Sequence, residues 1–329
     1  MTKLVPWGCV LLVLVGMVCP VSSFASEGPP PRDCRLKQLA SIDLQIGSLV
    51  VMPVVLDGAP ALMGLTTTNP FSTISKQSAA EMKLAIAKTP APISGIAGFV
   101  SIDSFLLGSL EIGKVQLLVN NWPMILNSSV PPYIGFFALA SLVGMDYELD
   151  FAHNKLNLFT TTHCAGNVVY WTDSAASVPY SLDKMGLFAF PMELDGKKIA
   201  ATMEMGAHTW LRTDISKALY GFNEHSSGIR TETLDSGKTI NHYRAMKMTA
   251  RGLSVINADV VLTPGSKGCS VSYNSGPEHS AAYENCYGPQ PLMLGLDVLR
   301  HLRLYFATQE HILYFTAADA GMPAPAKEE

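Results

Sequence analysis

The sequence predicts an all-β protein made of two tandem copies of one unit, with a few short helices. The first observation is an internal repeat at a constant offset of 138 residues (191 − 53). It matches Pro53, Leu56, Asp57 and Gly58 with Pro191, Leu194, Asp195 and Gly196. The second is that apolar residues between these landmarks fall into short strand-like runs, such as 99–110, 111–120 and 257–263. The third is that no long segment has the 3.6-residue period of an amphipathic helix.

Each copy is expected to begin with a β-hairpin. Asp57-Gly58 and Asp195-Gly196 each stand between two apolar runs. Asp-Gly is a preferred pair in two-residue hairpin turns because both residues tolerate positive φ. Short helices are expected after each hairpin, over residues 75–84 and 214–222.

A second match is expected to close each copy. It aligns Gly144 with Gly295 and Asp146 with Asp297, and it leaves five extra residues (VLRHL) in the second copy, which we expect to form a helical turn. The two aspartates are expected to cap helices or turns. These landmarks give a first half over 35–160, a linker over 161–177, a second half over 178–316 and a flexible tail over 317–329.

Residues 1–25 have the pattern of a secretory signal peptide. Lys3 supplies the positive charge, residues 8–19 form an apolar stretch too short to cross a bilayer comfortably, and Ser23 and Ala25 fit cleavage after Ala25. The alternatives are a retained membrane anchor and a lipoprotein signal that ends at Cys19. We expect a secreted or periplasmic protein with no stable membrane span after signal cleavage.

Four cysteines remain after the signal: Cys34, Cys164, Cys269 and Cys286. An even number in an oxidising compartment predicts two disulfides, for which three pairings exist. We favour Cys34–Cys164, which brackets the first half, and Cys269–Cys286, which closes a local loop. A zinc site is not expected because the chain has no CxxC pair, so we predict no metal and no cofactor.

The charge balance argues against two kinds of partner. The formal net charge is −4, and no run of like charges occurs. Nucleic acid and anionic membrane surfaces are therefore not expected partners. The sequence leaves the oligomeric state open.

The two-copy pattern resembles the retropepsin-like aspartic-protease family in its bacterial, two-repeat form, over roughly 40–160 and 178–316. In that family an Asp-Thr-Gly-Ala loop is followed by a Ser-x-Ile, matched here by Ser72 and Ile74, and later by an apolar-apolar-Gly segment. Two segments match the latter, Leu142-Val143-Gly144 and Met293-Leu294-Gly295. The resemblance implies the acid-protease fold: two closed β-barrel halves with pseudo-twofold symmetry, packed into one bilobal unit. Independent lobes or pairing between chains are the alternatives.

The catalytic loops depart from the family pattern. The first reads Thr66-Thr67-Thr68-Asn69 and the second Glu204-Met205-Gly206-Ala207, so the catalytic positions fall on Thr66 and Glu204. Aspartic proteases need two carboxyls that share one proton, and a threonine hydroxyl cannot serve as a base near neutral pH. Thr68 replaces a glycine whose free backbone the loop is expected to need. We therefore expect both positions to be non-functional in catalysis.

The resemblance also implies a peptide-binding cleft. Its floor would include Thr67, Thr68, Met205, Gly206 and Ala207, and a flap over 93–101 would include Gly95 and Gly98. The second copy offers residues 228–243 in the same place. The loop 265–290 is either a recognition element or an inert excursion.

Three functions compete on these observations. The first is an exported, catalytically inactive module (a pseudoprotease) that binds an extended peptide or protein ligand. The second is an active aspartic-type endopeptidase that uses Glu204, with His208 as a conceivable partner. The third is a structural envelope protein without a ligand.

Overall fold

The computed structural model describes residues 34–89, 95–121, 131–142, 144–183, 186–223, 225–233, 237, 239–263, 268–272, 283–287 and 291–319. The predicted signal peptide, most of the loop 265–290 and most of the tail 317–329 lie outside these residues. Within the described ranges, no helix has the length and apolarity that a membrane crossing requires.

The described residues of the first half form ten strands and one short helix. Helix α1 spans Lys76–Glu81, and Ser75 caps it by accepting a hydrogen bond from the Ser78 amide at 3.0 Å. A 3-10 turn spans Leu139–Ser141. The strands are β1 (Gln38–Asp43), β2 (Gln45–Ile46), β3 (Val50–Leu56), β4 (Ala59–Thr66), β5 (Thr73–Ser75), β6 (Ile96–Leu107), β7 (Leu110–Asn120), β8 (Gly135–Ala138), β9 (Met145–Asp150) and β10 (Lys155–Thr160).

The second half repeats this plan with an added ribbon. Helix α2 (Thr213–Tyr220) ends at Gly221, whose φ of 70° only glycine adopts freely, and helix α3 spans Leu296–Leu299. The strands are β11 (Ala176–Pro179), β12 (Ser181–Leu182), β13 (Phe188–Leu194), β14 (Lys197–Met203), β15 (Thr209–Arg212), β16 (Ile229–Thr233), β17 (Thr239–Ala250), β18 (Leu253–Thr263), β19 (Gly268–Ser272), β20 (Tyr283–Tyr287), β21 (Leu292–Leu294), β22 (Leu302–Ala307) and β23 (Ile312–Ala317).

Each half contains a closed six-stranded barrel. In the first, the strand order β3-β4-β8-β5-β7-β6 closes through pairing of β3 with β6. In the second, the order β13-β14-β21-β15-β18-β17 closes through pairing of β13 with β17. The two orders correspond strand for strand. The predicted all-β fold of two closed barrel halves with short helices is confirmed.

The hairpins predicted from the repeated Asp-Gly pair are present. Leu56 pairs with Ala59 across the first turn, and Asp57 and Gly58 have φ of 47° and 82°. Asp195 and Gly196 have φ of 45° and 77° in the second turn. These values fit the two-residue turns whose twist matches that of the flanking strands.

A third, six-stranded sheet joins the halves, in the order β1-β10-β9-β22-β23-β11. This order is palindromic under the correspondence of the halves, because β1, β10 and β9 match β11, β23 and β22. Glu148 pairs with Tyr305 at the centre, where the pseudo-twofold axis passes. The halves share this sheet, so they form one bilobal unit.

The structure corrects the second repeat match. In the first barrel Leu65 of β4 pairs with Phe137, and in the second Met203 of β14 pairs with Leu294. The counterpart of Met293-Leu294-Gly295 is therefore Phe136-Phe137-Ala138, and the alignment of Gly144 with Gly295 was wrong. Gly144, with φ of 80°, lies in the turn before β9, and Val143 lies outside the described residues.

The same correction removes the extra residues predicted in the second copy. Seven positions separate Ala138 from Met145 (145 − 138) and Gly295 from Leu302 (302 − 295), so the connections are equally long. Asp146 consequently corresponds to Arg303 rather than to Asp297.

The joining sheet carries charged side chains on a buried face. Along β9, Tyr147 and Leu149 pack into the main core, while the alternating acidic residues point to the opposite face. We call the side chains on that face the polar layer; they are Asp146, Glu148, Asp150, Asn157 and Arg303, all of which are buried.

The polar layer is covered by residues 161–175, the greater part of the predicted linker. Val168 is fully buried there against Phe159, Tyr305, Ala307 and Tyr314. The predicted disulfide Cys34–Cys164 is present, and it fastens the start of this segment beside β1. In the ribbon of β19 and β20, Cys269 lies opposite Cys286 in the strand register, and their disulfide stays a prediction.

Arg303 is the centre of the polar layer. Its Nε donates to Glu148 Oε1 at 2.5 Å, and its Nη2 lies 3.2 Å from Asp150 Oδ2. Its guanidinium carbon is 4.3 Å from the Trp171 ring centroid. Glu148 also accepts hydrogen bonds from Asn157 and from the Tyr170 hydroxyl. The buried carboxylates are thus paired and hydrogen-bonded, as buried charges must be.

The two aspartates expected to be caps have other contacts. Asp146 is fully buried, 2.6 Å from His163 Nε2, and accepts hydrogen bonds from Tyr305 and Thr308. Asp297 lies in the first turn of α3, but its carboxylate accepts hydrogen bonds from the amide and hydroxyl of Thr209. The first belongs to the joining sheet and the second supports a loop of the candidate site.

Candidate functional site

The candidate site consists of two loops that follow equivalent strands. The first loop, Thr66–Asn69, leaves β4, and the second loop, Glu204–Ala207, leaves β14. They meet between the halves: the Thr67 hydroxyl donates to the Met203 carbonyl at 2.5 Å, and the Val50 amide donates to the Met205 carbonyl at 3.3 Å. The structure therefore brings the two predicted loops together.

A chain of hydrogen bonds links Thr66 and Glu204, the two positions that the family resemblance predicted to be catalytic. Thr68 Oγ1 donates to Glu204 Oε2 at 3.2 Å and lies 3.5 Å from Thr66 Oγ1. Thr66 is 8% exposed, whereas Thr68 and Glu204 are half-buried. Burial raises the pKa of Glu204 above its ordinary value, and the hydrogen bond from Thr68 opposes this shift. The pair contains one carboxyl, whereas the two-carboxyl mechanism of aspartic proteases needs two.

The expected backbone strain at Thr68 is absent. Neither Thr68 nor Gly206 is among the described residues with positive φ. A Cβ built on Gly206 would lie 3.6 Å from Glu204 Cγ, which is ordinary contact. The first loop therefore accommodates Thr68 without a left-handed backbone.

The backbone of the second loop is hydrogen-bonded to β21 and to the first residue of α3. The Glu204 amide donates to the Leu294 carbonyl at 2.8 Å, and the Gly206 carbonyl accepts from the Leu296 amide at 2.8 Å. A Cβ on Gly295 would lie 2.2 Å from the carbonyl carbon and oxygen of His208, so this glycine permits the close approach. The backbone of the second loop is thus held by hydrogen bonds on both sides of Met205.

Ser72 and Thr209 are equivalent supports that the repeat match did not pair. Ser72 Oγ accepts from the Ala138 amide at 3.0 Å, and Thr209 Oγ1 accepts from the Gly295 amide at 3.0 Å. Ser72 follows Thr66 by six positions (72 − 66), and Thr209 follows Glu204 by five (209 − 204). Both copies contain a Ser/Thr-x-apolar triplet at this point, which could have revealed the equivalence. The constant offset of the repeat missed it because the second loop is one residue shorter.

Both predicted flap positions contain hairpin strands. Gly98 has φ of 156°, and a Cβ there would lie 2.2 Å from the carbonyl oxygen of Ala87, which pairs with Phe99. Gly95 has φ of 77° and its carbonyl accepts from Asn121 at 2.8 Å. These described contacts are with Ala87 and Asn121 rather than with either loop.

The second hairpin is formed by β16 and β17, from Ile229 paired with Tyr243 to Thr233 paired with Thr239. Residues 90–94, 234–236 and 238 lie outside the described residues.

The described contacts do not support a Glu204–His208 dyad. His208 is exposed, and its ring centroid is 6.3 Å from that of Trp210. The described side-chain partner of Glu204 is Thr68. Within the described ranges, no three His, Cys, Asp or Glu side chains form a group that could hold a metal ion.

Comparison with known proteins finds likeness among solved structures. No protein-family model matches the chain, and no curated protein matches it. Among 402 matching chains of solved structures is the crystal structure of Basic 7S globulin from soybean. It is 9% identical, with a TM-score of 0.44, and the match covers 88% of this chain and 98% of that one. The strand pairing of the chain itself therefore carries the assignment: an aspartic-protease-like fold of two closed barrels joined by a shared sheet.

Proposed function

We propose that this chain is an exported, retropepsin-like pseudoprotease that binds an extended peptide or protein segment between its two halves. The observation that carries the proposal is the pair at the catalytic positions: Thr66 and Glu204, bridged by the hydroxyl of Thr68. The fold that holds two carboxyls in an aspartic protease here holds one carboxyl among neutral hydroxyls.

This pair lacks the means to activate water. In the two-carboxyl mechanism, one group accepts a proton from water while the other donates a hydrogen bond to the substrate carbonyl. Thr66 cannot accept that proton near neutral pH, and Glu204 has no second carboxyl with which to share one. The extra methylene of glutamate also displaces its carboxyl relative to an aspartate by ~1 Å, a shift that can cost about a hundredfold in rate.

The peptide-binding part of the proposal is supported by the surrounding strands. The predicted flap positions of both halves contain hairpin strands, and β16 forms one edge of its eight-stranded sheet. Strand edges present unpaired backbone groups that bind extended peptides through main-chain hydrogen bonds. Export is supported by the Cys34–Cys164 disulfide, because such bonds persist mainly in oxidising compartments.

One observation favours the alternative of an active peptidase. Burial raises the pKa of Glu204, and general acids in enzymes have raised pKa values for the same reason. Glu204 would then protonate a leaving group without a partner base, which supplies only part of acid–base catalysis.

A single experiment separates the two. The purified chain is incubated with a diverse peptide pool from pH 3 to pH 7; retained peptides and newly formed termini are both identified by mass spectrometry. We expect retention without cleavage. Cleavage that disappears in Glu204→Ala would overturn the proposal in favour of the enzyme. Cleavage gained by a Thr66→Asp/Thr68→Gly/Glu204→Asp variant would show that the cleft still positions a peptide bond.

A further inference from the structure

The carboxylate of Glu204 has no cationic partner in the described part of the chain. The ion pairs of that part all involve other acids, such as Asp103 with Lys114 and Glu148 with Arg303. Around Glu204 the described polar side chains are the neutral hydroxyls of the first loop, and the hydroxyl of Thr67 already donates to a carbonyl. Asp297, below the second loop, is occupied by Thr209, and His208 is exposed.

An ionised, half-buried carboxylate with one neutral donor is poorly compensated. Burial removes water from it, and a single hydroxyl at 3.2 Å replaces only part of that hydration. A ligand cation placed in the cleft would supply the missing charge, whereas a neutral ligand would desolvate Glu204 further. The negative charge of Glu204 thus favours a cationic group of a ligand over a neutral one.

The neighbouring oxygens fit the donors of a primary ammonium group. Such a group has three N–H donors and no acceptor. The carboxylate of Glu204 and the hydroxyl of Thr68 offer acceptor oxygens within hydrogen-bond distance of each other, and Thr66 Oγ1 lies 3.5 Å from Thr68 Oγ1. A guanidinium, which is planar and prefers two parallel bonds to one carboxylate, competes with Thr68 for Glu204 Oε2.

We infer that the cleft recognises a primary ammonium group of its peptide ligand, either a lysine side chain or a free amino terminus, with Glu204 as the counter-ion and Thr68 as the second acceptor. This inference rests on the proposed function, because it requires a peptide to reach the two loops. It assigns Glu204 a role in specificity in place of the catalytic role that the position has in proteases.

The test uses N-acetylated, C-amidated decapeptide libraries that differ only in one fixed central residue: lysine, Nε-acetyl-lysine, norleucine or arginine. A fifth library has norleucine and a free amino terminus. Binding to the immobilised chain is measured for wild type, Glu204→Gln and Thr68→Val, with circular dichroism to establish that each variant folds. We expect the lysine or the free-terminus library to bind about tenfold better than the acetylated norleucine library, a ratio that Glu204→Gln brings to about one.

The outcomes distinguish the inference from the proposed function. Equal binding of all libraries to wild type would overturn the ammonium inference and leave peptide binding intact. A preference that Glu204→Gln retains would overturn the role of Glu204. If no library binds, the proposed function fails, and ligand-observed NMR with n-butylamine against n-butanol then decides the inference alone: binding of the amine that Glu204→Gln abolishes supports it, and no binding refutes it.

Discussion

Replacement of Arg303 by methionine is expected to destabilise the protein strongly. Arg303 is 8% exposed and forms ion pairs with Glu148 and Asp150 at the centre of the joining sheet. Methionine fills most of the same volume without charge. The variant therefore leaves two buried carboxylates with hydrogen bonds but no counter-ion.

The expected cost is about 3–5 kcal/mol, the range for removal of one partner from a buried ion pair. This is a large fraction of the 5–15 kcal/mol by which domains are typically stable. The carboxylates retain other donors, including Asn157 on Glu148 and His153 on Asp150, which places the expectation within rather than above that range. Neutralising both acids in Arg303→Met/Glu148→Gln/Asp150→Asn should recover more than half of the loss.

Urea unfolding with linear extrapolation measures the free energies, provided that the m value stays unchanged. Lys114→Met is the matched control, because Lys114 pairs with Asp103 at 3.0 Å with both side chains more than 60% exposed; it should cost less than ~1 kcal/mol. If Arg303→Met costs no more than this control, or if the triple variant recovers nothing, the description of the polar layer as a buried electrostatic unit is refuted.

Three further changes test other parts of the structure. Replacing both Cys34 and Cys164 with serine should lower the free energy of unfolding by up to about 5 kcal/mol, because the crosslink spans 130 residues; urea unfolding measures the loss. Glu204→Gln should be more stable than wild type above the ordinary carboxyl pKa and equal to it at low pH. Burial raises the folded-state pKa of Glu204, so the folded chain binds more protons than the unfolded chain in that window, and wild type loses stability as pH rises through it. Gly295→Ala should cost about 1–3 kcal/mol in thermal unfolding, because its Cβ would collide with the His208 carbonyl.

Each of these changes has an outcome that contradicts its reasoning. Reduction of the wild-type disulfide without loss of stability would contradict the stabilising effect of the Cys34–Cys164 crosslink. A stability difference between Glu204→Gln and wild type that does not vary with pH would contradict a raised pKa of Glu204 in the folded chain. For the third, the control is Ala138→Gly at the equivalent position of the first half, which should cost no more than ~1 kcal/mol; an equal cost for both variants would show that the collision is relieved.

The parts of the fold that depend on local chemistry could be predicted from the sequence. The Asp-Gly turns have the positive φ that their residue types indicate, and the constant offset between the halves places Thr66 and Glu204 at equivalent positions. The second repeat match failed because the correct pairing depends on contacts between segments that are distant in the sequence. The strand beneath the first loop is marked by Gly135, where a Cβ would lie 2.0 Å from the Thr73 carbonyl oxygen, and not by the turn glycine Gly144.

The polar layer was missed for a related reason. The alternation of Asp146, Glu148 and Asp150 with apolar residues predicts a strand with one polar face, and such a face is normally exposed to water. That face is buried because residues 161–175 fold over it, and their sequence has the composition of a linker. Neither the cover nor the pairing of β9 with β22 can be read from a single stretch of sequence.

The asymmetry of the polar layer bears on how the first half can associate. Under the correspondence of the halves, Asp146 and Glu148 of β9 match Arg303 and Tyr305 of β22, and Arg303 pairs with Asp150 while Tyr305 pairs with Glu148. A twofold dimer of two first halves would therefore place Asp146 against Asp150 and Glu148 against another Glu148, away from water. Like charges in such positions cost several kcal/mol and exclude a wrong partner. The charges of the joining sheet therefore favour pairing of the first half with the second half over pairing with a second copy of the first half.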